Sequence, residues 1–100
     1  PGISDYQISN RDGEEISLLK AEPGARIFQH THDGEEATLV LSGALQDGES
    51  VLRAGDVSIV NENHTHNPSI IGNEPCNCMI VMYGKVPITG RFHRAFNLLT

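Results

Sequence analysis

Turn-forming residues recur along this sequence at intervals too short for long helices. Short runs rich in β-branched and aliphatic residues lie between them, over residues 16–20, 25–30, 37–41, 57–60 and 79–83. Short strands separated by turns at roughly 8–12-residue spacing are typical of all-β sandwiches and barrels. The sequence therefore predicts an all-β fold. The turn signals are Asp12-Gly13, Pro23-Gly24, Asp33-Gly34, Asp47-Gly48, Gly55-Asp56, Asn67-Pro68, Gly72-Asn73, Glu74-Pro75 and Gly90.

The Asp47-Gly48 signal is specific enough to predict a hairpin. Apolar residues flank it at 44–45 and 51–52. Both turn residues tolerate the positive φ that tight hairpin turns require, so we expect this dipeptide to form the turn.

The C-terminus departs from the strand pattern. Its apolar residues are spaced i, i+3, i+4 and i+7, which places them on one face of a helix. We predict a short C-terminal helix that caps the barrel, and a helix that binds a partner is the alternative. The residues on this face are Phe92, Ala95, Phe96 and Leu99.

Length and composition limit the chain to a single domain over residues 1–100. With 38% hydrophobic and 5% aromatic residues it can build one modest core, which excludes a two-domain enzyme with a buried cleft. Thirteen Asp and Glu against seven Lys and Arg give a net charge of −6, which argues against nucleic-acid binding. No apolar run, that over 37–41 included, is long enough to span a membrane.

The residues with distinctive chemistry cluster around one predicted hairpin. His30 and His32 are spaced i and i+2, so an extended strand projects both imidazoles from the same face. After a turn, Glu36 opens the next strand with a parity opposite to that of Glu35. His66, in a distant segment, offers a third imidazole. Three imidazoles and one carboxylate suit zinc, iron, manganese, nickel or copper, and do not suit calcium or magnesium.

The spacing of these residues resembles the first cupin motif. That motif has a glycine, five residues, His-x-His, three residues, a glutamate, six residues and a glycine. In this sequence the matching residues are Gly24, His30, His32, Glu36 and Gly43.

The second cupin motif is similar to residues 55–70. Gly55 opens it and His66 stands at its histidine position, which favours His66 over the rival third ligand His64. Asp33 and Glu35 are the rivals of Glu36, but Asp33 lies in the turn and Glu35 on the opposite face. This segment departs from the motif at three positions, where the motif has proline, glycine and asparagine. The residues found there are Asn61, Asn63 and Ile70.

A narrower resemblance covers nearly the whole chain. The sequence is similar to the cupin-like domain of ChrR-type anti-sigma factors. The segments that carry this likeness are Pro23-Gly-Ala-Arg, His30-Thr-His32, Leu39-Val-Leu-Ser-Gly43, Gly55-Asp56, His66-Asn-Pro68, Cys76-Asn-Cys78 and Gly90-Arg91 with Phe96.

The resemblance implies a cupin double-stranded β-helix, or jelly-roll barrel. It also implies a zinc ion bound through residues matching His30, His32, Glu36 and His66, with Fe²⁺, Mn²⁺ and Ni²⁺ as alternatives. In that family the domain follows a helical zinc domain that holds an extracytoplasmic-function sigma factor, and it is needed to release that factor under oxidative stress. We therefore expect either the C-terminal half of a longer protein, with a sigma factor as partner through the missing N-terminal domain, or a free-standing relative.

Two functions remain open at this point. The first is a sensory or regulatory module with a coordinatively closed metal site. The second is a small metal-dependent cupin enzyme, a dioxygenase, isomerase or lyase, for which the sequence offers few substrate-orienting groups beyond Arg26, Gln29 and Tyr83. The edges of a jelly roll can also pair two copies into a homodimer.

Cys76 and Cys78 are separated by one residue and do not indicate a fold held together by disulfides. We therefore expect the protein to be located in the reducing cytoplasm. We predict that they are small buried residues alternating with Ile80 and Met82 along a core strand. A redox-active thiol pair is the alternative, which would need an exposed setting that stabilises a thiolate.

Overall fold

The computed structural model describes residues 2–27, 29–30, 34–61, 65–66 and 68–84. These residues form β-strands joined by turns and short loops, so the all-β prediction is confirmed. They contain no helix, and hence none that could cross a membrane. The predicted C-terminal helix lies outside the described residues. The strands are β1 (Ile3–Arg11), β2 (Glu14–Ala21), β3 (Gln29–His30), β4 (Gly34–Ser42), β5 (Ala44–Asp47), β6 (Ser50–Arg53), β7 (Val57–Val60), β8 (Thr65–His66), β9 (Ser69–Ile71) and β10 (Cys76–Gly84).

These strands form three antiparallel sheets. A five-stranded sheet has the order β1-β2-β10-β4-β7, a three-stranded sheet the order β6-β5-β9, and β3 pairs with β8 in a two-stranded ribbon. The last strand, β10, lies in the middle of the largest sheet between β2 and β4. Elements from opposite ends of the described chain are therefore neighbours in the centre of the fold.

The core lies between the two larger sheets. On β10 the buried residues alternate with half-buried ones, because successive side chains of a strand point to opposite faces. Each large aliphatic side chain buried here contributes roughly 1.5–3 kcal/mol to stability. The buried cluster consists of Leu19, Ala21, Val40, Cys76, Cys78, Ile80 and Met82 from the five-stranded sheet, Leu45 and Ile70 from the three-stranded sheet, and Ile27.

Glycine placement sets the turns of two hairpins. Asp12 and Gly13 join β1 to β2 with φ of 55° and 78°, and two positive φ values are the pattern of a type I′ turn. Between β5 and β6 the turn residues are Gly48 and Glu49, and of these two Gly48 alone has positive φ, at 63°. That pattern belongs to a type II′ turn. The predicted hairpin is confirmed, but its turn lies one residue later than expected because Asp47 is still paired in β5.

Gly43 forms the corner at which the chain leaves the five-stranded sheet for the three-stranded one, with φ of 80°. A Cβ added at this position would overlap the carbonyl oxygen of Pro75 and lie 2.8 Å from the Cα of Cys76. Both neighbours are backbone atoms, so they cannot rotate away as a side chain could. Glycine is therefore required twice here, for the backbone conformation and for the close approach.

Most strands were predicted from the sequence, but β1 and β9 were missed and the predicted strand that contains β3 was too long. Predicted runs 16–20, 37–41, 57–60 and 79–83 all lie within observed strands. The edge strand β1 was not predicted, because most of its residues are polar. The predicted strand over 25–30 was too long, since residues 25–27 lie outside the strands and β3 comprises Gln29–His30. Arg26 makes an isolated bridge to Ser69.

Candidate metal centre

Glu36 lies on β4, and its side chain is only 1% exposed. It pairs with Met82 on β10 and with Val60 on β7, so it occupies the inner face of the five-stranded sheet. Thr38, two residues on, is buried as well, whereas Glu35 is exposed. The predicted parity of this strand is therefore confirmed, and Glu35 points away from the interior.

The inner face of the sheet changes from apolar to polar along its strands. Glu15 on β2 and Glu36 on β4 both lie opposite Met82, so two buried carboxylates flank one methionine. Burying a carboxylate is costly unless other groups compensate for the lost water, and both residues have interaction partners in the structure. The buried polar residues at this end are Glu15, Ser17, Glu36 and Thr38. Sequence reasoning did not single out Glu15, although its two-residue spacing from Ser17 and Leu19 places it on the buried face.

The ribbon of β3 and β8 brings two of the predicted ligand positions onto neighbouring strands. His30 pairs with Thr65, and Gln29 pairs with His66. The structure describes the backbone of these residues, and their side chains lie outside the description. Two segments distant in sequence are thus adjacent, as a site shared between them requires.

Both strands of this ribbon connect to the polar end of the five-stranded sheet. Residues 31–33 lead from β3 into β4, two residues before Glu36, and residues 61–64 lead from the end of β7 at Val60 into β8. Because Glu36 and Val60 are paired, these two connections meet the sheet at the same place. The backbone therefore places Glu36, whose carboxylate is buried, close to the points where both connections leave the five-stranded sheet.

Several predicted site residues lie outside the described part of the chain. These include all of His32, His64 and Asp33, and the side chains of His30 and His66. Among the residues that are described, no three His, Cys, Asp or Glu side chains are grouped so that they could hold a metal ion. The ligand set His30, His32, Glu36 and His66 thus stays a prediction. Its nitrogen and oxygen donors suit zinc and the first-row transition metals.

Cys76 and Cys78 lie in the core, and both are almost fully buried. Their sulfur atoms are 3.5 Å apart and form no disulfide. A hydrogen bond between the two thiol groups joins them. This hydrogen bond holds the pKa of Cys76 below its usual value, and it acts with burial to raise the pKa of Cys78. The prediction of two buried residues alternating with Ile80 and Met82 is confirmed.

Two of the three groups considered for a substrate pocket are exposed. Tyr83 is exposed, and it alternates with buried Met82 on β10, so it lies on the outside of the sheet. Arg26 is also exposed, and the side chain of Gln29 lies outside the description. A cavity of about 10 Å³ between the sheets, with Thr38 among its lining residues, has room for roughly one water molecule.

Comparison with known proteins identifies the family of this chain. The model of the ChrR cupin-like domain family matches residues 4–86 of the chain. The anti-sigma-E factor ChrR of Cereibacter sphaeroides is 37% identical over 68 residues, which are 67% of this chain and 32% of that protein. The chain therefore spans about a third of the length of this curated relative.

Solved structures share the architecture. Rhodobacter sphaeroides ChrR, crystallised in complex with SigE, superposes with a TM-score of 0.76 at 28% identity, over 82% of this chain and 45% of that one. The cupin domain of an XRE-family transcriptional regulator from Enterobacter cloacae gives 0.75 at 17% identity, over 86% of this chain and all of that domain. KdgF from Halomonas gives 0.73 at 17% identity, over 85% of this chain and 82% of that one. The cupin fold is confirmed, and this chain belongs to the ChrR cupin-like domain family.

Proposed function

We propose that this chain is a metal-binding regulatory domain of the anti-sigma type, which holds a zinc ion through His30, His32, Glu36 and His66. The observation that carries the proposal is the position of Glu36. Its carboxylate is buried at the polar end of the inner face, beside the two connections that lead to the β3–β8 ribbon. A cation at this place would offset the cost of burying that carboxylate.

The metal would act as a cross-link between parts of the fold. Glu36 is held by pairing on both sides, with Met82 on β10 and Val60 on β7, so its backbone position is fixed by the sheet. His30 and His66 belong to the ribbon, in which the described residues form two pairs. Four protein ligands would close the coordination of zinc, as in structural sites, and binding would stabilise the fold.

The regulatory part of the proposal rests on family membership. One relative is an anti-sigma-E factor, and it has been crystallised with SigE. We infer that this domain controls a sigma factor that is bound by another segment, and that oxidative damage at the metal centre changes that binding. Modifying a ligand would remove the cross-link and so convert chemical damage into a change of shape. Such a regulator would work in the cytoplasm.

Metal analysis of the dialysed protein tests the site. We expect about one equivalent of zinc in the unmodified chain, as four protein ligands require. His66→Ala and Glu36→Gln should lose the metal and lower the melting temperature. His64→Ala is the matched control, and it should keep both.

Two results would overturn the proposal. One is a metal content far below one equivalent in the unmodified chain. The other is a His66→Ala variant that retains its metal and its melting temperature. Iron or manganese with a spectrum that changes on adding small oxygenated molecules would instead favour a cupin enzyme.

A further inference from the structure

The outside of the five-stranded sheet is unusually apolar. We call the face of this sheet that points away from the core the outer face. Two adjacent rows of apolar residues run across the strands on this face. Several of these side chains are well exposed, and Tyr6 and Ile59 are 70% and 68% exposed. The first row is Tyr6, Leu18, Met79, Leu39 and Val57, and the second is Ile16, Val81, Ala37 and Ile59.

A face of this kind is normally polar when it meets water. Antiparallel sheets usually bury one face and expose polar residues on the other. Strands lie about 4.8 Å apart, so the first row spans roughly 19 Å across the sheet. Monomeric proteins rarely leave a contiguous apolar surface of this extent uncovered. The outer face is therefore expected to have an occupant.

Part of the outer face is concave. A groove of about 390 Å³ lies between Tyr6 on β1 and Leu41 on β4, and Leu18 also lines it. Leu41 is the extra residue of a β-bulge, because the register of β4 against β10 shifts there. Asn77 donates a hydrogen bond of 2.8 Å to the hydroxyl of Ser42 beside this bulge. The groove is thus bounded on one side by the paired strands β1 and β2. On the other side it is bounded by the bulge at Leu41, beside which Asn77 and Ser42 are hydrogen-bonded.

We propose that the C-terminal segment, residues 85–100, packs on the outer face and places the side chains of Phe92 and Phe96 in this groove. The segment continues directly from Gly84, the last residue of the central strand β10. The apolar positions that the sequence groups on one helical face are Phe92, Ala95, Phe96 and Leu99.

The segment is long enough to reach the groove. Residues 85–90 can extend over about 20 Å at roughly 3.3 Å per residue. The distance along β10 from Tyr83 back to Asn77, beside the groove, is also about 20 Å. A ten-residue helix over 90–99 would be about 15 Å long, comparable to the breadth of the apolar rows.

Charge favours this segment over a second copy of the chain. Of the seven Lys and Arg, three lie in the segment at Lys85, Arg91 and Arg94, and none of the thirteen Asp and Glu does. Glu14 and Glu35 flank Tyr83 on the outer face, at the end where β10 finishes. The cationic segment would be attracted to this acidic surface, whereas two copies that each carry a net charge of −6 would repel one another.

Nuclear Overhauser measurements on the full chain test the proposal. We expect contacts between the Phe96 ring and the methyl groups of Leu18 and Leu41, within one molecule of a monomeric protein. The Phe92 ring should give contacts with the same methyl groups, and Phe96→Asp should abolish these by releasing the segment. Asn97→Asp adds the same charge off the apolar stripe, and it should leave them intact.

Each alternative occupant gives a distinct result that would overturn the proposal. A second copy would give contacts only between differently labelled molecules in a mixed sample, together with a dimer in sedimentation. If the outer face binds another protein instead, the monomer would give no nuclear Overhauser contact between Phe96 and Leu18. These outcomes do not depend on metal content, so they separate this proposal from the metal centre.

Discussion

Replacing Gly43 by alanine should destabilise the fold much more than the same change at another glycine with similar backbone geometry. Gly72 supplies the control, because its φ of 85° is close to the 80° of Gly43. An added Cβ at Gly72 meets nothing within 4 Å, whereas at Gly43 it meets the backbone of Pro75 and Cys76. The pair therefore separates the cost of the conformation from the cost of the close approach.

The expected magnitudes follow from these two terms. Alanine in the left-handed region costs roughly 1–2 kcal/mol at either position. At Gly43 the overlap with fixed backbone atoms adds an overpacking cost of about 1–3 kcal/mol. Gly43→Ala should thus lose about 2–5 kcal/mol of unfolding free energy, against about 1–2 for Gly72→Ala. For a domain of this size, each kcal/mol lowers the melting temperature by roughly 4–8 °C.

Urea unfolding followed by circular dichroism measures both free energies. The slope of the transition should be the same in the two variants, so that the midpoints can be compared directly. Unfolding free energies of the two variants that agree to within about 0.5 kcal/mol, the usual effect of a surface substitution, would refute the close contact at Gly43. In that case the chain at β10 would move aside at little cost, and the corner would not be a rigid contact.

Three further predictions concern the core and one turn. Cys76 and Cys78 should react with a thiol reagent only when the chain unfolds, because both are buried; modification of the folded protein at the rate of a free thiol would contradict this. Ile80→Ala should cost about 2–5 kcal/mol in thermal or urea unfolding, and a loss no greater than that of the exposed control Val51→Ala would refute the core assignment. Asp12→Val should cost roughly 1–2 kcal/mol because residue 12 has φ of 55°, whereas Asp12→Gly should be tolerated; equal stability of the two variants would argue against the type I′ turn.

Local patterns in the sequence predicted the central strands well because burial there follows the two-residue period. Glu36, Thr38 and Val40 share a parity that the sequence shows directly, and the structure buries all three. The same reasoning placed Cys76 and Cys78 on the core side of their strand. Where one face of a strand is buried, the pattern of residue types is sufficient.

The errors occurred where pairing and not composition decides the structure. The edge strand β1 forms because it pairs with β2 on both sides of a bulge at Ile8, although its own residues are largely polar. The turn after β5 begins at Gly48 because the ladder with β6 extends through Asp47. Neither pairing can be seen within a short window of sequence.

The candidate site shows the same division. The residues of the site were proposed from their spacing in the sequence. The fold explains how His30 and His66 can lie close together, since β3 and β8 are neighbouring strands. Glu15 was missed because the motif does not contain it. Its position beside Met82 follows only from the order β2-β10-β4.

The separation of the β3–β8 ribbon from the two larger sheets has a consequence for hydrogen exchange. Among the described residues, β3 and β8 are hydrogen-bonded as a sheet of their own, so they can separate without disturbing the long ladders of the five-stranded sheet. Local openings of this kind cost far less free energy than global unfolding. Amide hydrogens of His30 and His66 should therefore exchange with solvent sooner than those of β10, because the ribbon can open while the larger sheets stay paired.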